Sequence, residues 1–184
     1  MSAQKFEFAI VAEGLDPDAD DFEDRLFDAG CSDALVSVIK GSIVLDFTRE
    51  GKNFAHAVTS AIRDVKAAGA EVVRIEPDTY VNLSDIAART GLTRQAVSLL
   101  IQGERGPGGF PPPIVRVTTD SPLWDWLSVA RWMVRHGRLA DSNVLTEAAM
   151  IRELNGILQA QRVHQAGGEI LERALDPDEQ PVPA

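Results

Sequence analysis

Arg94, Gln95, Ser98 and Gln102 follow one another at steps of one, three and four residues. On a helix that turns about 100° per residue they share one side. Each can hydrogen-bond a base edge or a phosphate; arginine does so with a planar fork and glutamine with an amide that both donates and accepts. Thr93, immediately before them, is a good N-cap type whose hydroxyl can also touch a nucleic-acid backbone. Val97, Leu100 and Ile101 supply an apolar stripe at three- and four-residue spacing. The segment therefore describes a short helix with one side for burial and another for hydrogen bonding, the kind of helix that can enter a major groove.

Such a helix needs neighbours to hold it. Residues 83–103 read as a helix-turn-helix. Ser84 is expected to cap the first helix, Ile86 and Ala87 to face inward, and the small Ala87 to let the two helices cross closely. Gly91 is placed where a turn needs positive φ, and Leu92 fills the space between the helices. A Gly/Pro loop (104–113), a β-rich segment from Ile114 to Val117, a polar turn and a second short strand then predict a hairpin wing. A helix from about Trp126 to His136 follows, with Val129, Trp132 and Met133 on one side. Trp124, Trp126 and Trp132 are expected in the core, because a small domain needs large apolar side chains to bury enough surface. Arg105 and Arg116 are expected to lie over phosphates or the adjacent minor groove.

This stretch resembles the winged helix-turn-helix of the excisionase and MerR-like group. There a recognition helix leads into Phe-Pro-x-Pro, then a Trp-containing strand, then a helix ending in x-Val-x-x-Trp-Leu. The residues that carry the resemblance are Phe110, Pro111, Pro113, Trp124, Val129, Trp132 and Met133, within about residues 82–137, less than a third of the chain. Asp125 stands where that group often has a basic residue, which removes the expectation of a phosphate contact there. The resemblance implies sequence-specific binding of double-stranded DNA, usually by a dimer or a cooperative array.

A net charge of −10 over 184 residues argues at first against a DNA partner. Its distribution argues the other way. Residues 1–80 hold 8 basic and 16 acidic side chains, residues 81–138 hold 7 and 4, and residues 139–184 hold 3 and 8. All seven basic residues of the middle segment are arginines: Arg89, Arg94, Arg105, Arg116, Arg131, Arg135 and Arg138. A basic segment between acidic ones restrains non-specific attraction to the nucleic-acid backbone.

The first eighty residues predict β-α-β-β-α-β. A strand covers 5–11, and a helix begins within Asp16–Asp20 and runs to about Ala29, with Phe22, Leu26 and Phe27 as its apolar side. Two strands, Ala34–Ile39 and Ser42–Phe47, flank a Lys40-Gly41 turn. An amphipathic helix starts at Phe54 and stops before Gly69, and a last strand covers Glu71–Ile75. That order is the ferredoxin-like, split βαβ arrangement, whose bare sheet face suits oligomerisation or partner docking. No clustered polar pocket stands out in its strands. The carboxylates from Asp16 to Asp24 miss the calcium-loop spacing and read instead as helix N-terminal charges. At the other end, Asp141 or Ser142 is expected to cap a helix reaching about Val163, its stripe formed by Val144, Ala148, Ile151, Leu154, Ile157 and Leu158. It packs either on the winged domain or on a second copy. The tail after Leu175 is acidic and Pro-rich.

The expected class is thus α+β: a ferredoxin-like domain (1–79), a winged helix-turn-helix (80–138), a C-terminal amphipathic helix (139–166) and an acidic tail (167–184). The expected function is sequence-specific recognition of double-stranded DNA by a bacterial transcriptional regulator, as a homodimer. The alternative is an antitoxin-like or adaptor protein whose acidic first domain binds a protein partner; a third possibility is effector sensing by that domain. One cysteine, Cys31, no secretory leader and no apolar run of about 20 residues suit the cytoplasm and no membrane. Three scattered histidines and the absence of a phosphate-cradling glycine loop leave no support for a metal, a cofactor or catalysis.

Overall fold

The computed structural model describes residues 4–140 and 143–175, the last seven of these as backbone only. It is α+β. Strand β1 (Gln4–Glu13) leads through α1 (Phe22–Leu26) to β2 (Ala34–Ile39) and β3 (Ser42–Gly51). Helix α2 (Phe54–Ala67) then leads to β4 (Glu71–Glu76). The four strands form one antiparallel sheet in the order β2-β3-β1-β4. Alternation places Phe6, Phe8, Ile10 and Ala12 of β1 on the same side as Ile43, Leu45 and Phe47 of β3, where both helices cover them. Phe8 stacks on Phe47 with centroids 5.4 Å apart, and Phe54 meets Phe8 edge-on at 5.9 Å. The Lys40-Gly41 turn has φ of 52° and 83°, the pair of left-handed residues that a two-residue hairpin requires.

Two expectations for this half need correction. The first helix does not begin within Asp16–Asp20. The Asp16 carboxylate accepts from the Asp18 backbone N–H (3.0 Å) and its carbonyl from Ala19 (3.2 Å), so that segment closes as a tight turn. The helix starts at Phe22 and widens into a π turn over Phe27–Cys31, which carries Gly30 at φ 103°. Phe27, where the π turn begins, faces outward: it is 65 % exposed, not part of the apolar side.

The second half is built around a separate core. Strand β5 (Tyr80–Val81) precedes two short helices, α3 (Leu83–Thr90) and α4 (Arg94–Ile101). Strand β6 (Trp124–Asp125) runs straight into α5 (Trp126–Arg135). Val81, Ile86, Val97, Leu100, Val129 and Met133 pack with all three tryptophans, which are buried. The long α6 (Asn143–Leu175) serves both cores: Ala148 packs with the helices, while Ile151 and Leu158 join the sheet core. It extends twelve residues past the expected end. The expected capping positions, 141 and 142, and the tail after 175 lie outside the described residues. Among the described residues no helix is long and apolar enough to cross a membrane.

Candidate nucleic-acid interface

Helix α3 is capped by Asn82, not by Ser84. The Asn82 Oδ1 accepts from the backbone N–H groups of Ser84 (2.7 Å) and Asp85 (3.1 Å), and the Asp85 carboxylate accepts in return from the Asn82 N–H (2.9 Å). This reciprocal box satisfies donors that no helical turn can reach. Ser84 is the weaker choice because Asp85, three residues beyond Asn82, completes the box only from there. Gly91 ends α3 at φ 67°, as expected, and its N–H returns to Ala87 C=O. Thr93 caps α4 through its hydroxyl, which accepts from the Ala96 N–H at 3.1 Å.

The expected contact residues of α4 stand clear of the core. Thr93, Arg94, Gln95 and Gln102 are exposed and Ser98 is half-buried. Gln102 Nε2 donates to Ser98 Oγ at 3.4 Å, joining the last two into one polar ledge. Among the described residues, no hydrogen bond or ion pair engages the side chains of Arg94, Gln95, Arg105 or Arg116.

The loop after α4 is pinned from beneath. Trp132 Nε1 donates to Gly108 C=O and Trp124 Nε1 to Pro111 C=O, each at 3.1 Å, and Phe110 lies against Trp132 with centroids 5.0 Å apart. Gly106 is required there. At φ 84°, a Cβ would meet Leu100 Cδ2 at 3.0 Å and Arg138 at 3.3 Å. The expected strand over Ile114–Val117 does not form. Only an isolated bridge joins Val115 to Leu123, with Ile114 N–H to Leu123 C=O and Leu123 N–H to Val115 C=O both at 2.9 Å. Pro111, Pro112 and Pro113 remove three donors before it, and Arg116 leaves extended backbone at φ 53° to head the tip turn closed by Thr119. Trp124–Asp125 instead pairs with Tyr80–Val81. Arg105 and Arg116 are both exposed on this loop.

Asp125 is buried and structural. Its carboxylate accepts from the Ser128 N–H (3.0 Å), the Ser128 hydroxyl (2.6 Å) and Arg152 of α6 (3.1 Å). Arg89 also turns inward: its guanidinium lies over the Trp126 ring at 5.0 Å, and Nη1 is buried without a hydrogen-bond partner. Burial pushes its pKa below the ordinary arginine value, against the pull of Asp85, Asp78 and Glu76. Arg89 therefore leaves the set of available charges.

Sequence reasoning missed a polar cluster in the sheet half. Arg49 of β3 is buried, with Nε and Nη2 on the two oxygens of Asp33 (2.9 and 2.7 Å), Nη1 on Asp64 (2.6 Å) and Nη2 also on Gly30 C=O (2.6 Å). Hydrogen bonding to Asp33 and then to Asp64 outweighs burial and raises its pKa further. Each Arg49 nitrogen is engaged, so this is a brace between β3, α2 and the α1–β2 connection. Cys31 beside it is buried, and burial pushes its thiol up to about 11, away from the reactive thiolate. A cavity of about 280 Å³ lies where the two cores meet α6, lined by Phe54, Trp126, Ile151, Asp78 and Arg152 among others.

No protein family, curated protein or solved structure matches this chain.

Proposed function

We propose that the chain is a sequence-specific double-stranded DNA-binding protein, a bacterial transcriptional regulator. In this reading α3 and α4 are a helix-turn-helix, the loop over 104–123 is a reduced wing, and the preceding sheet is a ferredoxin-like unit for assembly. The observation that carries it is the outward side of α4. Arg94 and Gln95 stand free at the start of a helix whose far side is locked into a core, with Ser98 and Gln102 beside them. Thr93 positions the first turn and touches backbone. Arg105 and Arg116 extend the contact to phosphates or the neighbouring minor groove. Phosphate contacts set register while base-edge contacts select sequence, so the two groups of side chains have separable effects.

The experiment is selection of genomic fragments on the purified full chain, followed by titration of the enriched sequence against a scrambled duplex at several salt concentrations. Support is a recurrent sequence bound at least tenfold more tightly than the scrambled one, with affinity falling as salt rises. Equal binding to both duplexes, or none, overturns it.

A second reading keeps the same helices but gives the first domain a basic protein partner, as in an antitoxin or adaptor. The carboxylates of Asp16, Asp18, Asp20, Asp21, Glu23, Asp24 and Asp28, all exposed, favour it. Co-purification of one basic protein that is released by salt supports this second role.

A further inference from the structure

The two edges of the four-stranded sheet are finished differently. At β4, α6 supplies a substitute for a neighbouring strand: the Ile75 N–H donates to Asn155 Oδ1 (2.7 Å), and Asn155 Nδ2 donates to Ile75 C=O (2.8 Å). That strand also carries Glu71, Arg74 and Glu76. At β2 neither device is present. The run Ala34-Leu35-Val36-Ser37-Val38-Ile39 has no charge and no proline, the usual guards against edge pairing. Leu35 is 72 % exposed, Ile39 53 % and Val38 48 %.

The register shows which backbone groups are free. Leu35 faces Asp46 of β3, Ser37 faces Val44, and the Thr48 N–H donates to Asp33 C=O. Odd-numbered residues of β2 therefore bond β3, and the N–H and C=O groups of Ala34, Val36 and Val38 point away from the sheet.

We propose that β2 pairs antiparallel with β2 of a second copy, centred on Ser37, fusing two sheets into one of eight strands. Outward groups must meet outward groups, so the two-fold axis passes through a residue. Centred on Ser37, Leu35 meets Ile39 of the second copy on the open side of the sheet, and Val36 meets Val38 on the helix-covered side, each twice. The two Val36–Val38 pairs exchange four hydrogen bonds. Centred on Val36, Ile39 would instead meet Asp33, a carboxylate already committed to Arg49. Two copies carrying −10 each repel one another over most of their surface, and a strand without charge is where they can approach. The interface is self-complementary, as a two-fold dimer requires. The inference stands without the DNA reading, because the pairing is measured with no DNA present.

Ser37→Cys in the full chain tests it. On the axis this position is a non-hydrogen-bonded pair, with Cα atoms about 4.5 Å apart, inside the range a disulfide spans. Thr48→Cys, exposed on the same open side but away from the edge, is the control. Under mild oxidation Ser37→Cys is expected to form a covalent dimer about tenfold faster than Thr48→Cys, since pairing raises the local thiol concentration. Light scattering is expected to show a dimer for the native chain and a monomer for Leu35→Lys, with unchanged circular dichroism. A native chain that is monomeric at micromolar concentration, cross-linking no faster than the control, or a dimer that survives Leu35→Lys overturns the proposal.

Discussion

The sheet half and the helical half use arginine in opposite ways. In the sheet half, Arg49 is enclosed by Asp33, Asp64 and the Gly30 carbonyl, and Arg25 donates to the Ala68 carbonyl at 2.9 Å. In the helical half, Arg94, Arg105 and Arg116 are exposed and no described side chain holds them. All carry the same charge; what differs is whether the fold surrounds them with acceptors. Counting charges along the chain separates acidic from basic segments but not braces from available contacts. Only the acceptors do that, and they come from residues distant in sequence.

The comparison breaks first, and most visibly, at Arg49. Arg49→Met removes the cation that Asp33 and Asp64 share, leaving Asp64 with only the exposed Arg63 on its other oxygen. Removing one partner of a buried ion pair typically costs about 3–5 kcal/mol. Asp33 is a third exposed and water relieves it in part, so the lower end of that range is expected. Urea unfolding measures it. A loss below about 1 kcal/mol shows that the brace is dispensable and that the contrast between the halves is one of geometry only.

Arg94→Ala is the opposite case. It is expected to leave the unfolding midpoint in place and to cost about 1–3 kcal/mol in binding to the enriched duplex, with relaxed preference at one base position. Arg105→Ala, from the same exposed set, is expected to weaken all duplexes alike and to lower the slope of log affinity against log salt by about one. Anisotropy titrations over a salt series separate the two. An Arg94→Ala effect identical on specific and scrambled duplexes makes it a phosphate contact, and base reading then rests with Gln95 and Ser98.

Much of this contrast is legible in the sequence, and what is not has a physical reason. The βαββαβ order shows because the period of the apolar residues switches cleanly between two and about 3.6. The polar side of α4 shows because a helix of eight residues leaves few ways to place Val97 and Leu100 inward. Arg49 could not be read, since its partners lie 16 and 15 residues away and meet it only through the β2–β3 pairing and the packing of α2 on the sheet. The charge count includes Arg89 in the basic segment but does not show it turned inward, because the ring that covers it, Trp126, lies beyond the whole loop. The wing strand expected over Ile114–Val117 has β-forming side chains, but Arg116 leaves extended backbone at φ 53° to start the tip turn, so the ladder stops at one bridge. The late start of α1 follows from Asp16 closing its own turn, a choice open to any aspartate that precedes a proline and a second carboxylate.

The junction before α3 offers a finer test of what holds the exposed helix in place. Asn82→Ala removes the acceptor for two backbone donors and is expected to cost about 1 kcal/mol, whereas Ser84→Ala is expected to change stability by less than about 0.5 kcal/mol. Thermal melts of both variants decide between the two capping residues. Because α3 packs on α4, Asn82→Ala should also weaken DNA binding slightly, without altering sequence preference.

The smallest expected effect sharpens the comparison most. Arg89 belongs to the basic segment by sequence but is turned inward by the fold, so it behaves as a sheet-half arginine placed in the helical half. Arg89→Met keeps the length of the side chain over Trp126 and removes a buried donor, Nη1, that has no partner. If availability rather than charge decides binding, DNA affinity should change less than twofold, about 0.4 kcal/mol, while Arg94→Met loses most of its specific binding. Should Arg89→Met weaken binding as much as Arg94→Met, the long-range field of the whole basic segment would be what attracts the duplex, and the outward side of α4 would lose its special standing.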